Sequence, residues 1–415
     1  MDEAEALCIS IERNYVRRIF SLFICNIRLL LYSRCMEPMG SFIMPARNLT
    51  KWNAVPGKLE DGEYVDSRIY SDEDIFNKEL KTIFSKVWIP VCHESELPET
   101  FSFRTSSIAN VPIMVFRDRR HIVRAIGNTF ERRPSGKIEP KIHSFESTDY
   151  LKVDVKFGGF VWVTLNDDPP TIEEWVDGSF DCMKESLNAE PLDVFHYHKA
   201  IITCNFKLWH DTNSEFYHDY LHYHNRITGF NDSYFARENK CFNNGHVNVG
   251  SFEVQYDNYD GFESREELSF PHLPTNHWEM IDMFPGINFN LRGSALRVDV
   301  MTPLSPDKVM IEFRGLGLKK DTPEERLIRQ RHHNSIWGPF GRNLHEDLLA
   351  VTTQQGSMHS SADPRRILHG RHENNTIHDE VGMRHYYDEW GKWMNINPSK
   401  PTEEYPYQIE ERMIA

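Results

Sequence analysis

The stretch INFNLRGSALRVDVMTPLSPDKVMIEFRGLGLK (287–319) constrains the fold more than any other part of the chain. Apolar and polar residues alternate along three runs, broken by R-G-S and S-P-D-K. A period of two puts successive side chains on opposite faces of a strand. Such runs with short turn-forming breaks have the rhythm of an antiparallel meander. Helical signals follow. TPEERLIRQRHHNSIWG (322–338) opens with Thr322 as N-cap and Pro323 at the first helical position. LHEDLLAVTTQQG (344–356) and HDEVGMRHYYDEWGKWM (378–394) also read as helices. The expected class is α+β, an antiparallel sheet with helices packed on it.

The first half reads differently. DEDIFNKELKTIFSKVW (72–88) has helical spacing after an acidic start. VPIMVFRD (111–118) and HIVRAIGN (121–128) read as a hairpin about Arg119 and Arg120. LKVDVKFGGFVWVTLND (151–167) reads as two paired strands about Gly158-Gly159. DDPPTIEEW (167–175) breaks the pattern with prolines and starts a new helix. We therefore expect a small, mainly β domain over 46–175 and a second domain over 176–415. Residues 1–45 form an N-terminal extension of different character, rich in arginine and cysteine, with methionines at 36, 39 and 44. We read it as an upstream segment ahead of a start at one of those methionines; a basic amphipathic targeting segment is the alternative.

Composition excludes several classes. The net charge is −15 with no basic stripe, which argues against nucleic acid binding. The seven scattered cysteines include no C-x-x-C pair, which points to a reducing compartment, here the cytoplasm, and away from a disulfide framework or zinc ribbon. The most apolar run, IFSLFICNIRLLLY (19–32), is too short to span a membrane and carries Asn26 and Arg28.

The chemistry concentrates in EFYHDYLHYH (215–224). If 213–222 is helical, Glu215, His218 and His222 lie on one stripe at i, i+3 and i+7. His224 sits about 240° round from His218 on a continuous helix and can join only if the helix ends between them. Two imidazoles plus one carboxylate form a face with open positions that suits non-haem Fe(II) and dioxygen. Asp347, or Glu346 beside it, is the distant carboxylate candidate. The alternative is an amphipathic wall of ring nitrogens that merely hydrogen-bond. Elsewhere, Trp209, Trp337, Trp390 and Trp393 read as core. Arg292 and Arg297, on alternating strand positions, read as a solvated face or an ion pair, with a substrate-carboxylate anchor as the alternative. Gly158-Gly159 and Gly286 read as turns or bulges.

NFKLWHDTNSEFYHDYLHYHNRITGF (205–230) resembles the iron-site segment of Rieske-type aromatic-ring-hydroxylating oxygenase α subunits. The resemblance runs from about 50 to 395 and includes KVWIPVCHESELPETFSFRT (86–105), FGGFVWVTLNDDPPTIEEW (157–175) and WGPFGRNLHEDLLAVTTQQG (337–356). It implies a Rieske-like β domain followed by a helix-grip catalytic domain. It implies mononuclear Fe(II) held by His218, by His222 or His224, and by Asp347. Glu215 stands where the family has the aspartate that bridges to a neighbouring subunit's cluster, and it can also orient His218. An aromatic or similarly apolar substrate and O2 are implied, with electrons entering through a reductase or ferredoxin.

The cluster motifs depart from the family. Where the family has C-x-H, NTFERRP (128–134) has Phe130 and Arg132; where it has C-x-x-H, PKIHSF (140–145) has Pro140 and only His143. A Rieske cluster needs two thiolates and two imidazoles. No cysteine lies between 93 and 181, so a [2Fe–2S] cluster is not expected in this chain. Electrons would then come from a cluster-bearing paralogous subunit, in a trimer-based hetero-oligomer. A catalytically silent structural subunit is the main alternative, and a metal-dependent hydrolase or lyase a third.

Overall fold

The computed structural model describes residues 64–127, 130–132, 138–140, 150–230, 232–254, 268–274, 276–359, 366–368 and 380–396. The expected N-terminal extension (1–45) and His143 lie outside them. The backbone alone is described for a few residues within elements, among them Phe130–Arg132, Ile138–Pro140 and His224.

In the first half, strand β1 (Tyr64–Asp66) precedes helix α1 (Glu73–Glu79), which continues as a π turn through Leu80–Phe84. Asp72 caps α1 by accepting from Asp74 N and Ile75 N. Strands β2 (Ile89–His93), β3 (Phe103–Ile108), β4 (Val111–Arg117) and β5 (Val123–Gly127) follow. Next come β6 (Phe130–Arg132), β7 (Ile138–Pro140), β8 (Lys152–Lys156) and β9 (Phe160–Thr164). They pair as small antiparallel sheets in the orders β2-β9-β8, β3-β4-β5 and β6-β7. Both expected hairpins form: β4 on β5, and β8 on β9. Gly158 and Gly159 turn the second with φ of +81° and +93°, a region that costs glycine little.

Two short helices, α2 (Ile172–Val176) and α3 (Lys184–Ala189), lead into β10 (Leu192–Ile202), α4 (Phe206–Ser214), α5 (Tyr223–Thr228) and α6 (Asp232–Ala236). Then come β11 (Glu238–Cys241), β12 (Val247–Glu253), β13 (His277–Met283), β14 (Ile287–Arg292), β15 (Ala295–Ser305) and β16 (Lys308–Leu318). They build a seven-stranded sheet ordered β10-β16-β15-β14-β13-β12-β11. The meander read from 287–319 is β14-β15-β16, antiparallel throughout. Helix α7 (Pro323–Trp337) starts with Thr322 and Glu325 closing a capping box, so the expected cap and first-turn proline are in place. Helix α8 (Leu344–His359), the short β17 (Arg366–Leu368) and α9 (Val381–Met394) complete the described chain.

The two faces of the large sheet differ. One carries Phe289, Leu291, Val298 and Leu316, all fully buried. Phe289 stacks on Trp162 and meets Phe160 and Phe180 edge-on, which joins the large sheet to the β-rich first half. Arg314 on the same face donates from Nε to Glu96 Oε2 at 2.9 Å and from Nη2 to Val91 O. The opposite face carries Asp282, Asn288, Asn290, Arg297, Asp299 and Phe313 toward the helices.

Early residues are tied to late ones. Glu79 and Lys207 form a fully buried ion pair at 2.6 Å, and Trp390 Nε1 donates to the same Glu79 oxygen. Tyr70 and Tyr387 both donate to the Asp211 carboxylate, and β1 pairs with β17. Arg292 and Arg297 do not share one strand, contrary to the expectation of alternating positions: the turn at Gly293-Ser294 puts them on β14 and β15.

Candidate metal centre

Helix α4 sets the start of the site. Its N-cap Asn205 accepts from Lys207 N and donates its own N–H to Gln355 Oε1 at 2.7 Å, which joins it to α8. The helix stops at Ser214, whose hydroxyl donates to Asp282 Oδ2 on β13 at 2.5 Å. Glu215 then turns extended, with φ −104° and ψ 155°. Residues Tyr217–Tyr220 form a 3₁₀ turn, and His222 caps α5. The continuous helix expected over 213–222 is therefore not what forms. The chain breaks at Glu215 because that side chain turns back to accept from His218, at its backbone N and its ring Nδ1. A 3₁₀ turn is tighter than an α turn, which brings the two imidazoles together across a short, irregular path.

His218 and His222 have ring centroids 5.4 Å apart. Each ring has one nitrogen committed: His218 Nδ1 to Glu215 Oε1 at 2.5 Å, and His222 Nδ1 to Glu346 Oε2 at 2.6 Å. The other nitrogens, both Nε2, face Asp347 Oδ1, at 3.7 Å from His218 and 3.2 Å from His222. Asp347 Oδ1 is buried and has no hydrogen-bond partner. The two adjacent acidic residues on α8 thus divide: Asp347 faces both rings, while Glu346 holds one from behind. His224 lies in α5, and its side chain is outside the description.

Sequence reasoning missed Asp219. Its Oδ1 lies 3.8 Å from His218 Nε2, and its ligand oxygen groups with His218 and His222 within 4.8 Å. Tyr234 donates to its other oxygen at 2.7 Å, and Arg237 stands 4.0 Å from it. The available signal was its place directly after His218; nothing in the sequence pointed to Tyr234.

Residues 189–396 match the family model for the catalytic domain of ring-hydroxylating α subunits. The chain is 58% identical to the methanesulfonate monooxygenase hydroxylase α subunit of Methylosulfonomonas methylovora, over 88% of this chain and 98% of that protein. It belongs to the ring-hydroxylating oxygenase α-subunit family. A second relative is the 2-aminobenzenesulfonate 2,3-dioxygenase α subunit of Alcaligenes sp., 34% identical over 82% of this chain and 96% of that one. Solved structures share the fold. A naphthalene 1,2-dioxygenase from Rhodococcus sp. superposes with a TM-score of 0.64 at 14% identity, over 80% of this chain and 94% of that chain. A quaternary ammonium Rieske monooxygenase gives 0.62 at 16%, over 81% and 99%.

As a member of this family the chain is an oxidoreductase, an α subunit of an oxygenase that uses mononuclear non-haem iron to activate dioxygen. Family α subunits work with a reductase or ferredoxin and form oligomers. Among the described residues no helix is long and apolar enough to cross a membrane.

The residues at the site fit that iron chemically. Two imidazole nitrogens and a carboxylate oxygen converge, with an orphaned buried oxygen at the centre. Each ring is gripped from behind by a carboxylate, the arrangement that fixes tautomer and raises ligand basicity. The local field favours positive charge. Burial pushes His218 down, but Glu215, with Asp219 and Asp347, outweighs it and carries His218 up to about 10. Burial also lowers His222, and contact with Asp347 raises it by more.

The residues at the Rieske positions do not fit a cluster. The backbone pairs Phe130 with Pro140 across β6-β7, so the two positions meet. Phenylalanine and proline supply no thiolate, and Arg132 supplies no imidazole.

Proposed function

We propose that this chain binds one Fe(II) through His218, His222 and Asp347 and hydroxylates a small organosulfonate, with electrons delivered by a cluster-bearing partner subunit. The observation that carries the iron reading is the convergence of two Nε2 atoms on the unpartnered Asp347 Oδ1. Iron held there would supply the centre at which dioxygen is reduced. Glu215 and Glu346 keep the imidazoles oriented, each with Nδ1 protonated and Nε2 turned inward. Asp347 supplies the negative charge, and Asp219 stands beside it as a further carboxylate. His224 is the reserve candidate for the second imidazole.

Two relatives whose names specify sulfonates support the substrate class. Buried Arg297 and half-buried Arg292, on the helix-facing side of the sheet, also favour an anion over the aromatic or similarly apolar substrate that the family resemblance implied. Electron supply from outside is supported by Phe130, Arg132 and Pro140. Exposed apolar residues near the site in the chain suit a docked partner: Leu221 and Tyr223 flank His222 and are 63% and 53% exposed, and Leu349, two residues after Asp347, is 72% exposed. We further propose a domain division near residue 175, with α1 fastened to the catalytic part through Glu79 and Lys207.

The test is iron content by mass spectrometry after anaerobic reconstitution, with turnover measured beside a cluster-bearing paralogue. The wild type should hold about one iron per chain, and H218A or D347A should retain under roughly a tenth of it. Turnover should vanish in the same variants. Turnover that persists in H218A and D347A would instead assign this chain a structural role. That second reading is favoured by the same loss of cluster ligands.

A further inference from the structure

We infer that Arg292 and Arg297, both stacked on Trp337, form the subsite that grips the sulfonate group of the substrate. The inference rests on the organosulfonate reading above and gives it residues.

The two arginines project from the same face of the sheet. Arg297 on β15 lies opposite Asn290 on β14, and Arg292 is two residues further along β14. Their guanidinium carbons each lie 5.0 Å from the centroid of the Trp337 ring, at the end of α7. An indole face holds guanidinium planes flat and leaves their N–H edges free to point elsewhere. Those edges are under-used. The Nε atoms of both arginines are buried and have no hydrogen-bond partner. Among the described residues, no carboxylate pairs with Arg292. Arg297 Nη2 lies 2.7 Å from Asp299 Oδ2, a close ion pair that leaves its buried Nε free.

Burying a guanidinium N–H without an acceptor is costly, and proteins rarely leave such donors idle. Two guanidiniums against one carboxylate leave one positive charge. A sulfonate is a monoanion at every physiological pH, with three oxygens that match guanidinium forks. A neutral aromatic ring would leave the same donors unsatisfied.

The chain links the subsite to the metal centre. Trp337 ends α7, and residues 338–343 lead directly into α8, which carries Asp347. The Asp299 carboxyl is raised to about 6, chiefly by burial, with Arg297 opposing and the charges of Asp347 and Asp282 adding to the rise.

The test is calorimetric titration of the full-length, Fe(II)-loaded chain with three probes: methanesulfonate, its neutral isostere methanesulfonamide, and acetate. Wild type should prefer methanesulfonate to methanesulfonamide by about ten-fold or more. R292Q should lose about ten- to hundred-fold in methanesulfonate affinity while methanesulfonamide binding stays within roughly three-fold. R292K should recover part of the loss, as a point charge without the fork. R297Q strands Asp299 and risks misfolding, so R297Q/D299N is the paired variant; with its circular dichroism unchanged, it should show the same selective loss. Equal methanesulfonate binding by wild type, R292Q and R297Q/D299N would overturn the subsite and leave the sulfonate reading intact. Acetate binding that needs Arg292, with no methanesulfonate binding, would keep the subsite and discard the sulfonate. Binding of neither anion would reject both.

Discussion

The two faces of the seven-stranded sheet follow opposite rules. On the face toward the β-rich half, the buried cation has strong partners, with Glu96 and the Val91 carbonyl each 2.9 Å from Arg314, and only Arg314 Nη1 and Glu312 Oε2 lack a hydrogen bond among the charged groups described there. On the face toward the helices, buried atoms without a hydrogen bond are more numerous: Asp282 Oδ1, both ends of the Asn288 amide, Asn290 Oδ1, Arg297 Nε and the Asp299 oxygens, one of which keeps its ion pair with Arg297. A structural face must satisfy most of its own donors and acceptors, because nothing else will. A face that receives a guest can leave them to the guest. The difference separates the part of the sheet that holds the protein together from the part that serves the iron site.

Arg314 is 2% exposed, and its loss would leave the buried Glu96 carboxylate with only the half-exposed Arg104, at 3.1 Å, as countercharge. R314M should cost about 3–5 kcal/mol in chemical denaturation. R292Q, on the guest-receiving face, should cost under about 1 kcal/mol, because no protein partner is stranded. Equal losses for the two would erase the distinction between the faces.

The next effect depends on pH. His210 on α4 lies 2.9 Å from Asp282 Oδ2 and stacks on Tyr386. Burial lowers its pKa, but Asp282 and Asp211 together outweigh burial and carry it up to about 9 from the ordinary 6.5. A raised folded-state pKa contributes stability that is fully present below the unfolded value and is lost as pH rises through the folded value. The window is therefore about pH 6.5 to 9. The gap in melting temperature between wild type and H210Q should be widest near pH 6 and shrink as the pH approaches 9.5. A gap constant across that range would mean that His210 is neutral when folded, and that Asp282 lacks its countercharge.

How much of this was readable in the chain depended on how local the cause was. The β14-β15-β16 meander and the Thr322 cap were legible because alternation and capping are local patterns. The break at Glu215 was not. The run from 213 to 222 has helical spacing, and what interrupts it is Ser214 reaching Asp282 across 68 residues, with Glu215 folding back on His218. Glu346 and Asp347 were visible as a pair, but which one faces the rings is decided by the phase of α8 against a segment over a hundred residues earlier. The Rieske substitutions could be read directly, since the residue types alone carry the chemistry.

The smallest effect probes the guest-receiving face where it is most enclosed. Asn288 is fully buried, lies between Asp282 on β13 and Asp299 on β15, and uses neither end of its amide. An amide buried without a bond costs about 1–3 kcal/mol relative to an apolar group of the same shape. Asn288→Leu relieves that cost. It also removes an amide dipole opposite those two carboxylates, which works in the other direction. The two terms are of similar size, so N288L should unfold within about 1 kcal/mol of wild type. Methanesulfonate affinity should nonetheless fall, because a leucine offers the guest nothing to bond. If N288L instead unfolds more than about 2 kcal/mol more easily, the amide is bonded inside the protein after all, and this face obeys the same rule as the other.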